Sequence, residues 1–479
     1  MRETIQDQTD IRTIVSNISL QYQLCKGLTF SINGGVNSVY TRKHFYWPRT
    51  LYQGKMNDGS GTRSDNDNFS YVVDYLLTFN RRFNKHNVNV VAGYSWQEWT
   101  NSYSSQTSTG FPSDALGYYG FSSATYPQKM YNGYTRRRMA SFIARANYSY
   151  DDRYVFMFTG RIDGSSRLAV GHKWGAFPSV GLAWNAHNEK FLAPAKQVLT
   201  NLKLRASYGI SGNENVAIGA TQSKISYNGV VFGDNSISQG YVVGNFDNPY
   251  LTWETTRQLN VGLDLGLWNR VNLSAEFYQK NTTDLLLNVK LPGSSSFTSY
   301  SSNTGEVRNR GLDFEAAFRV LTGKVKLNIA GNISVVRNKI LSMGDAGVIY
   351  GRSYCNNGQF SLNQPIHIAQ AGYPIGMFIG YKTEGIYQNE REIQEHTYTD
   401  PKTGVTNVIP QGAKPGDIRW ADTNNDGIIS EADRTVIGSP YPDFTYGINL
   451  DCSYKGLTLA MTFVGSQGNS LVNFNKWVM

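Results

Sequence analysis

Apolar and polar residues alternate with a period of two along most of the chain. Ile18, Leu20, Tyr22 and Leu24 interleave with Ser19, Gln21 and Gln23, and after Cys25–Gly27 the pattern resumes at Leu28, Phe30 and Ile32. Tyr71, Val73, Tyr75, Leu77 and Phe79 share one face, as do Val88, Val90, Ala92, Tyr94 and Trp96. Leu259–Leu265, Val271–Phe277, Leu312–Phe318, Val325–Ile329, Phe444–Leu450 and Leu457–Phe463 repeat it. Successive side chains of a strand point to opposite faces, so each run predicts a strand with one greasy and one polar face. About fourteen such strands are expected, many of roughly ten residues, a length that crosses a bilayer when tilted.

The connections sharpen this. Short turns at 25–27, 81–87, 151–152, 267–270, 321–324 and 454–456 alternate with long segments at 39–69, 100–137, 211–250, 286–309 and 337–443. Short turns on one side and long loops on the other characterise outer-membrane barrels. The expected fold is therefore all-β, an antiparallel transmembrane β-barrel with long extracellular loops, 337–443 being the longest. A soluble antiparallel sheet with one solvated face produces the same alternation and stays open as an alternative. Within 337–443, Glu390–Glu395 is expected to form a short helical turn.

Composition narrows the class. Charged residues are 17%, aromatics 13%, with 31 Tyr, 23 Phe and 9 Trp, and 47 Gly. Disordered chains lack aromatics, and coiled coils need Ala, Glu, Lys and Leu in excess. No run is long and apolar enough for a membrane-spanning helix. The net charge of +9 comes from scattered residues, the densest group being Arg136–Arg138, which reads as a solvated rim. No nucleic-acid motif accompanies it. Cys25, Cys355 and Cys452 suit neither a disulfide framework nor a zinc site. The N-terminus MRETIQDQTDIRT has no apolar core of a signal peptide.

Several blocks go beyond generic strands. They are AGYSWQEW (92–99), GFPSDALG (110–117), YSYDDRYVFMFTGRIDGSSR (148–167), GAFPSVGLAW (175–184) and LKLRASYGISGNENV (202–216). WETTRQLNVGLDLGL (253–267), YQKNTTDLL (278–286), NTGEVRNRGLDFE (303–315), AGYPIGMFIGYKTEGIYQ (371–388) and GDIRWADTNNDGIISEADRTVIGSPYPDFTYGINLDCSYKG (416–456) follow. In this order they resemble the barrel of the SusC-like (RagA-type) TonB-dependent outer-membrane transporters. The resemblance implies location in the outer membrane of Bacteroidota and TonB-driven import of oligosaccharides or peptides. It also implies a SusD-like surface lipoprotein as partner. No TonB box or plug domain is recognisable within 1–479, and the chain stops at NFNKWVM (473–479) without a terminal strand ending in an aromatic residue. The expectation is a barrel portion incomplete at both ends, reaching the TonB complex only through the missing plug and unable to transport alone.

DTNNDGIISEAD (422–433) carries the one sharp local motif. Asp422, Asn424 and Asp426 occupy positions 1, 3 and 5 of a Ca²⁺ loop, Gly427 position 6 and Asp433 position 12. The Ile428 carbonyl would be the ligand at position 7, and Ser430 would hold a water at position 9. Ile429 is expected to anchor the loop to an apolar cluster. A bare Asn/Asp/Gly-rich turn is the alternative. Tyr103, Phe111, Tyr118, Tyr119 and Phe121, with Tyr126 and Tyr131, crowd 100–137 and are candidates for stacking on sugar rings, or for a core internal to that segment. The six histidines are isolated, and no GxSxG, HExxH or P-loop occurs, so the chain reads as non-enzymatic. Two other functional classes remain: a soluble secreted β-protein binding carbohydrate with calcium, and a passive porin or adhesin.

Overall fold

The computed structural model describes residues 5–231, 237–351, 353–356, 360–399, 401–402, 404–409 and 412–473. The terminal residues 474–479 lie outside them, as does the side chain of Cys355. Cys25 and Cys452 are free thiols.

Fourteen strands form one sheet in chain order. They are β1 Gln6–Cys25, β2 Leu28–Trp47, β3 Ser60–Phe83, β4 His86–Thr109, β5 Tyr126–Tyr150, β6 Tyr154–Ser165 and β7 Trp174–Asn185. β8 Leu199–Asn213, β9 Glu254–Leu267, β10 Val271–Lys290, β11 Ser299–Thr322, β12 Val325–Ser342, β13 Phe444–Tyr454 and β14 Leu457–Gln467 complete it. Neighbours such as β3 and β4 pair antiparallel without a break from Ser60↔Thr109 to Phe83↔His86.

β6, β7, β13 and β14, of 11 or 12 residues, match the expected length, while most of the others are much longer; β3 and β4 have 24 each. The pleat explains the difference. On the outward face of β4, Val88, Val90, Ala92, Tyr94 and Trp96 are followed by Glu98, Thr100 and Ser102. Trp96 faces Val73 on β3 and Ala140 on β5; the apolar row stops there on β4 and β5 and continues through Tyr71 and Phe69 on β3. Just beyond Trp96, Arg138 pairs with Glu98 at 2.6 Å, and further along, level with Ser104, Arg42 pairs with Asp65 at 3.0 Å across adjacent strands. A band of roughly ten residues suits lipid; the remainder of each long strand, such as β3 and β4, continues past it as polar sheet. The long segments are correspondingly shorter than expected: 48–59 joins β2 to β3, and 110–125 joins β4 to β5. Two connections escaped the sequence reading. Residues 166–173, on the long-loop side in chain order, are brief, whereas 186–198, on the short-turn side, contain two short 3-10 helices.

The chain divides into two compact units. One comprises 1–185, 207–255 and 288–303, and includes β1–β7. Its buried cluster is Tyr46, Phe111 and Tyr118, backed by Phe121 and Ala124. The other comprises 186–206, 256–287 and 304–479. There β12 pairs directly with β13, although the whole of 343–443 lies between them. This long connection folds into small sheets: Ile349–Tyr350, His367–Ala369, Met377–Gly380 and Thr435–Gly438 form one, and Thr383–Ile386 pairs with Ile418–Trp420. Glu390–Glu395 is helical, and its N-cap Asn389 accepts from the Glu392 N–H.

Candidate metal loop and ligand-facing aromatics

The turn sequence of 422–433 dictates its own closure. Asp422 Oδ2 accepts from the Gly427 N–H at 2.8 Å and Oδ1 from the Asp426 N–H at 3.2 Å. Asp426 Oδ1 accepts from the Ile428 N–H at 2.8 Å, and Asn424 Nδ2 donates to Asp426 Oδ2. Gly427 has φ +83°, and a Cβ there would run into the Tyr398 ring, so the position requires glycine twice over. Asp433 is completely buried, at 0% exposure. Its Oδ1 accepts from the Thr423 N–H at 2.9 Å and its Oδ2 from the Ser430 N–H at 2.8 Å. Burial pushes this carboxyl up, but the N–H groups of Ser430, Thr423 and Asn424 outweigh burial and hold it below the usual range.

The result is a convergent set of hard oxygen donors. Carboxylate oxygens of Asp422, Asp426 and Asp433 lie within 4.8 Å of one another, the one such group of His, Cys, Asp or Glu among the described residues. This donor chemistry fits Ca²⁺. Ser430 also caps the Glu431–Asp433 turn through a bond from the Ala432 N–H. Ile429 is half-buried. The nearby apolar cluster of Ile368, Met377 and Ile379 takes Val436 as its packing partner.

The aromatic candidates separate. Phe111 is 1% exposed and meets Tyr46 and Phe121 edge-on, at 5.1 and 5.8 Å between centroids. Tyr118 is buried beside His44 and donates to Gln8 Oε1 at 2.6 Å. Asp114, which the sequence reading passed over, ties this core together by accepting from Tyr46 Oη at 2.7 Å and the Arg49 N–H at 3.0 Å. Phe111, Tyr118 and Phe121 thus serve the internal core, while Tyr119 remains 72% exposed. Tyr103, Tyr126 and Tyr131 stand on β4 and β5 rather than in a loop.

Arg136 is exposed, as the rim reading expects, whereas Arg137 is not a bare rim residue and Arg138 is paired. The Arg137 guanidinium lies 4.1 Å from the Trp99 ring centroid and pairs with the buried Glu214; Arg138 pairs with Glu98. Desolvation pushes Glu214 above the usual carboxyl range, against the pull of Arg137 and Arg167. Chain distance hid this group, since residue 214 follows β8 whereas 137 lies on β5.

A family model described as "TonB dependent receptor-like, beta-barrel" matches residues 2–460. TonB-dependent receptor P3 of Formosa agariphila is 32% identical over 470 residues, covering 98% of this chain and 46% of that protein. TonB-dependent receptor SusC of Bacteroides thetaiotaomicron is 29% identical over 345 residues, covering 70% of this chain and 32% of that one. The RagAB peptide transporter structure superposes with a TM-score of 0.77 at 24% identity, over 96% of this chain and 48% of the matched chain. The chain therefore spans less than half the length of these relatives.

Proposed function

Because the chain belongs to the TonB-dependent receptor β-barrel family, we propose that it forms barrel wall in an outer-membrane importer of oligosaccharides or peptides. In this reading the importer works with a SusD-like surface lipoprotein and is driven through a plug region by the TonB complex. The observation that carries the reading is the two-faced sheet. One face carries an apolar band that ends at Trp96 and Ala140 on β4 and β5 and within two pleats of that level, at Phe69, on β3, while the opposite face carries Asn, Ser and Thr along its height. Lipid accepts the first face and a wet passage the second. Location in the outer membrane displaces the soluble secreted alternative, and nothing in this role calls for catalysis.

The 479 residues alone are expected to insert and bind without transporting, since the matched relatives are over twice as long. Expression of this chain in outer membranes tests both parts. Heat-modifiable, detergent-dependent protein in the outer-membrane fraction is the expected result. A water-soluble monomer would overturn the membrane reading, and TonB-dependent glycan uptake by this chain alone would overturn the inactivity.

The 422–433 loop is proposed to hold Ca²⁺ as a structural ion through Asp422, Asn424, Asp426, the Ile428 carbonyl and Asp433, with Ser430 on a bound water. The converging carboxylates support this. Calorimetry of the folded chain with Ca²⁺ against chelator tests it: no heat and no stabilisation would remove the site. Tyr119 is the remaining loop aromatic proposed to touch ligand or lid, as it alone among the 111–121 candidates is largely exposed.

A further inference from the structure

The polar face of β3–β5 above the apolar band carries a group that neither the loop core nor the metal loop uses. Tyr103 on β4 lies across the sheet onto Gly133 of β5, its register partner, and a Cβ at Gly133 would run into the ring. A side chain there would lift the ring off the sheet; glycine lets it rest against the backbone. Tyr103 is nonetheless 43% exposed.

On its other flank Tyr103 stands opposite Asn66 of β3, and Asn101, two residues along the same face, stands opposite Asn68. Asn101 Nδ2 donates to both Asn66 Oδ1 and Asn68 Oδ1 at 2.6 Å. One amide therefore orients three. The bonds within the triad leave the Nδ2 groups of Asn66 and Asn68 as donors and Asn101 Oδ1 as an acceptor. Trp99, the next aromatic on this face, is already covered by Arg137. Tyr103 on β4 and Tyr131, two positions from Gly133 on β5, are rings left open on this face, and Tyr103 is the one seated against the amides.

We propose that Tyr103 and the Asn66–Asn68–Asn101 amides form a binding platform for a neutral hexopyranose unit of an oligosaccharide. A pyranose presents an apolar patch of C–H groups and a rim of hydroxyls that both donate and accept. It is matched by a flat ring beside fixed amides. All four residues are uncharged, so nothing in the group selects an ionised ligand. The platform stands on strands, which hold such groups more rigidly than loops do. It rests on the importer reading and narrows its ligand.

The test uses the full 479-residue chain folded in detergent, titrated by calorimetry with neutral gluco-, manno- and galacto-hexasaccharides and with a neutral hexapeptide. At least one hexasaccharide is expected to bind saturably. Tyr103→Ala should weaken it about tenfold, while Tyr103→Phe, which keeps the ring, should stay within about twofold. Asn101→Leu should weaken it several-fold by releasing all three amides. Heat-modifiable mobility of each variant confirms folding and membrane character independently, so loss of the platform and failure of the importer reading give different results. Absence of hexasaccharide binding to the folded chain, binding indifferent to Tyr103→Ala, or equal binding of the peptide through the same residues would overturn the proposal.

Discussion

Asp433 shows how one residue can hold a loop. Its two oxygens, on a fully buried side chain, take the N–H groups of Thr423 and Ser430. Asp433→Ala leaves both donors without their carboxylate partner, and a stranded buried donor costs roughly 1–3 kcal/mol, less where water reaches it. Amide exchange across 422–433 should accelerate accordingly while the strand amides of β12 and β13 stay protected. The pH dependence follows from the direction of the shift. The folded carboxyl lies below its ordinary value, so its contribution is complete above the ordinary carboxylate range. That contribution is lost as pH falls through the depressed value. Exchange at Thr423 and Ser430, corrected for intrinsic rate, should be flat from neutral to about pH 5 and rise only in stronger acid. Unchanged protection after acid titration would refute the assignment. Gly427→Ala meets both the positive φ and the Tyr398 ring. It should destabilise the loop by about 1 kcal/mol or more, read as a higher Ca²⁺ concentration for half-saturation. The spacing of the converging carboxylates was legible from sequence because the motif is local. The Tyr398 contact was not, because residue 398 belongs to a separate short strand, Thr397–Thr399.

At the scale of the element, the period-two pattern located the strands but not their ends. Alternation continues past the lipid band with Asn66, Asn68, Asn101 and Tyr103, yet without apolar partners the rows read as loop. Backbone pairing continues regardless of which side chains face outward, and it sets the true length. The two halves of a strand should therefore tolerate charge differently. Leu77→Arg, within the apolar band of β3, should cost roughly 2–4 kcal/mol in folding into vesicles. Ser102→Arg on β4, beyond the band, should be close to neutral. Urea titration with the heat-modifiable gel shift as readout distinguishes them, and equal costs would mean the band is misplaced. The long connection gives a second test. β12 pairs with β13 across 343–443, and closure entropy grows only slowly with loop length. Replacing residues 344–441 with a short turn should preserve the gel shift and abolish any Ca²⁺ response. Loss of the folded band would show that the connection props up the sheet.

For the whole molecule, the alternation of turns and long connections sets a sidedness that proteolysis can read. In intact cells, cleavage is expected within 343–443, for example after Lys402, with Lys324 and Lys455 in the opposite turns protected. Cleavage at the turns first would invert the orientation. The number of strands, their order and the class of outer-membrane barrel followed from sequence, because a two-residue period and turn chemistry are encoded by near neighbours. So did the convergence of the Asp422, Asp426 and Asp433 carboxylates in 422–433, a stretch of twelve consecutive positions. The tertiary structure alone decided which aromatics are covered and which are open. It buried Phe111 and Tyr118 around Asp114, capped Trp99 with Arg137, and set Tyr103 beside Asn66 and against Gly133. Those outcomes depend on inter-strand register, which joins residues dozens of positions apart, and a one-residue slip would send each side chain to the other face.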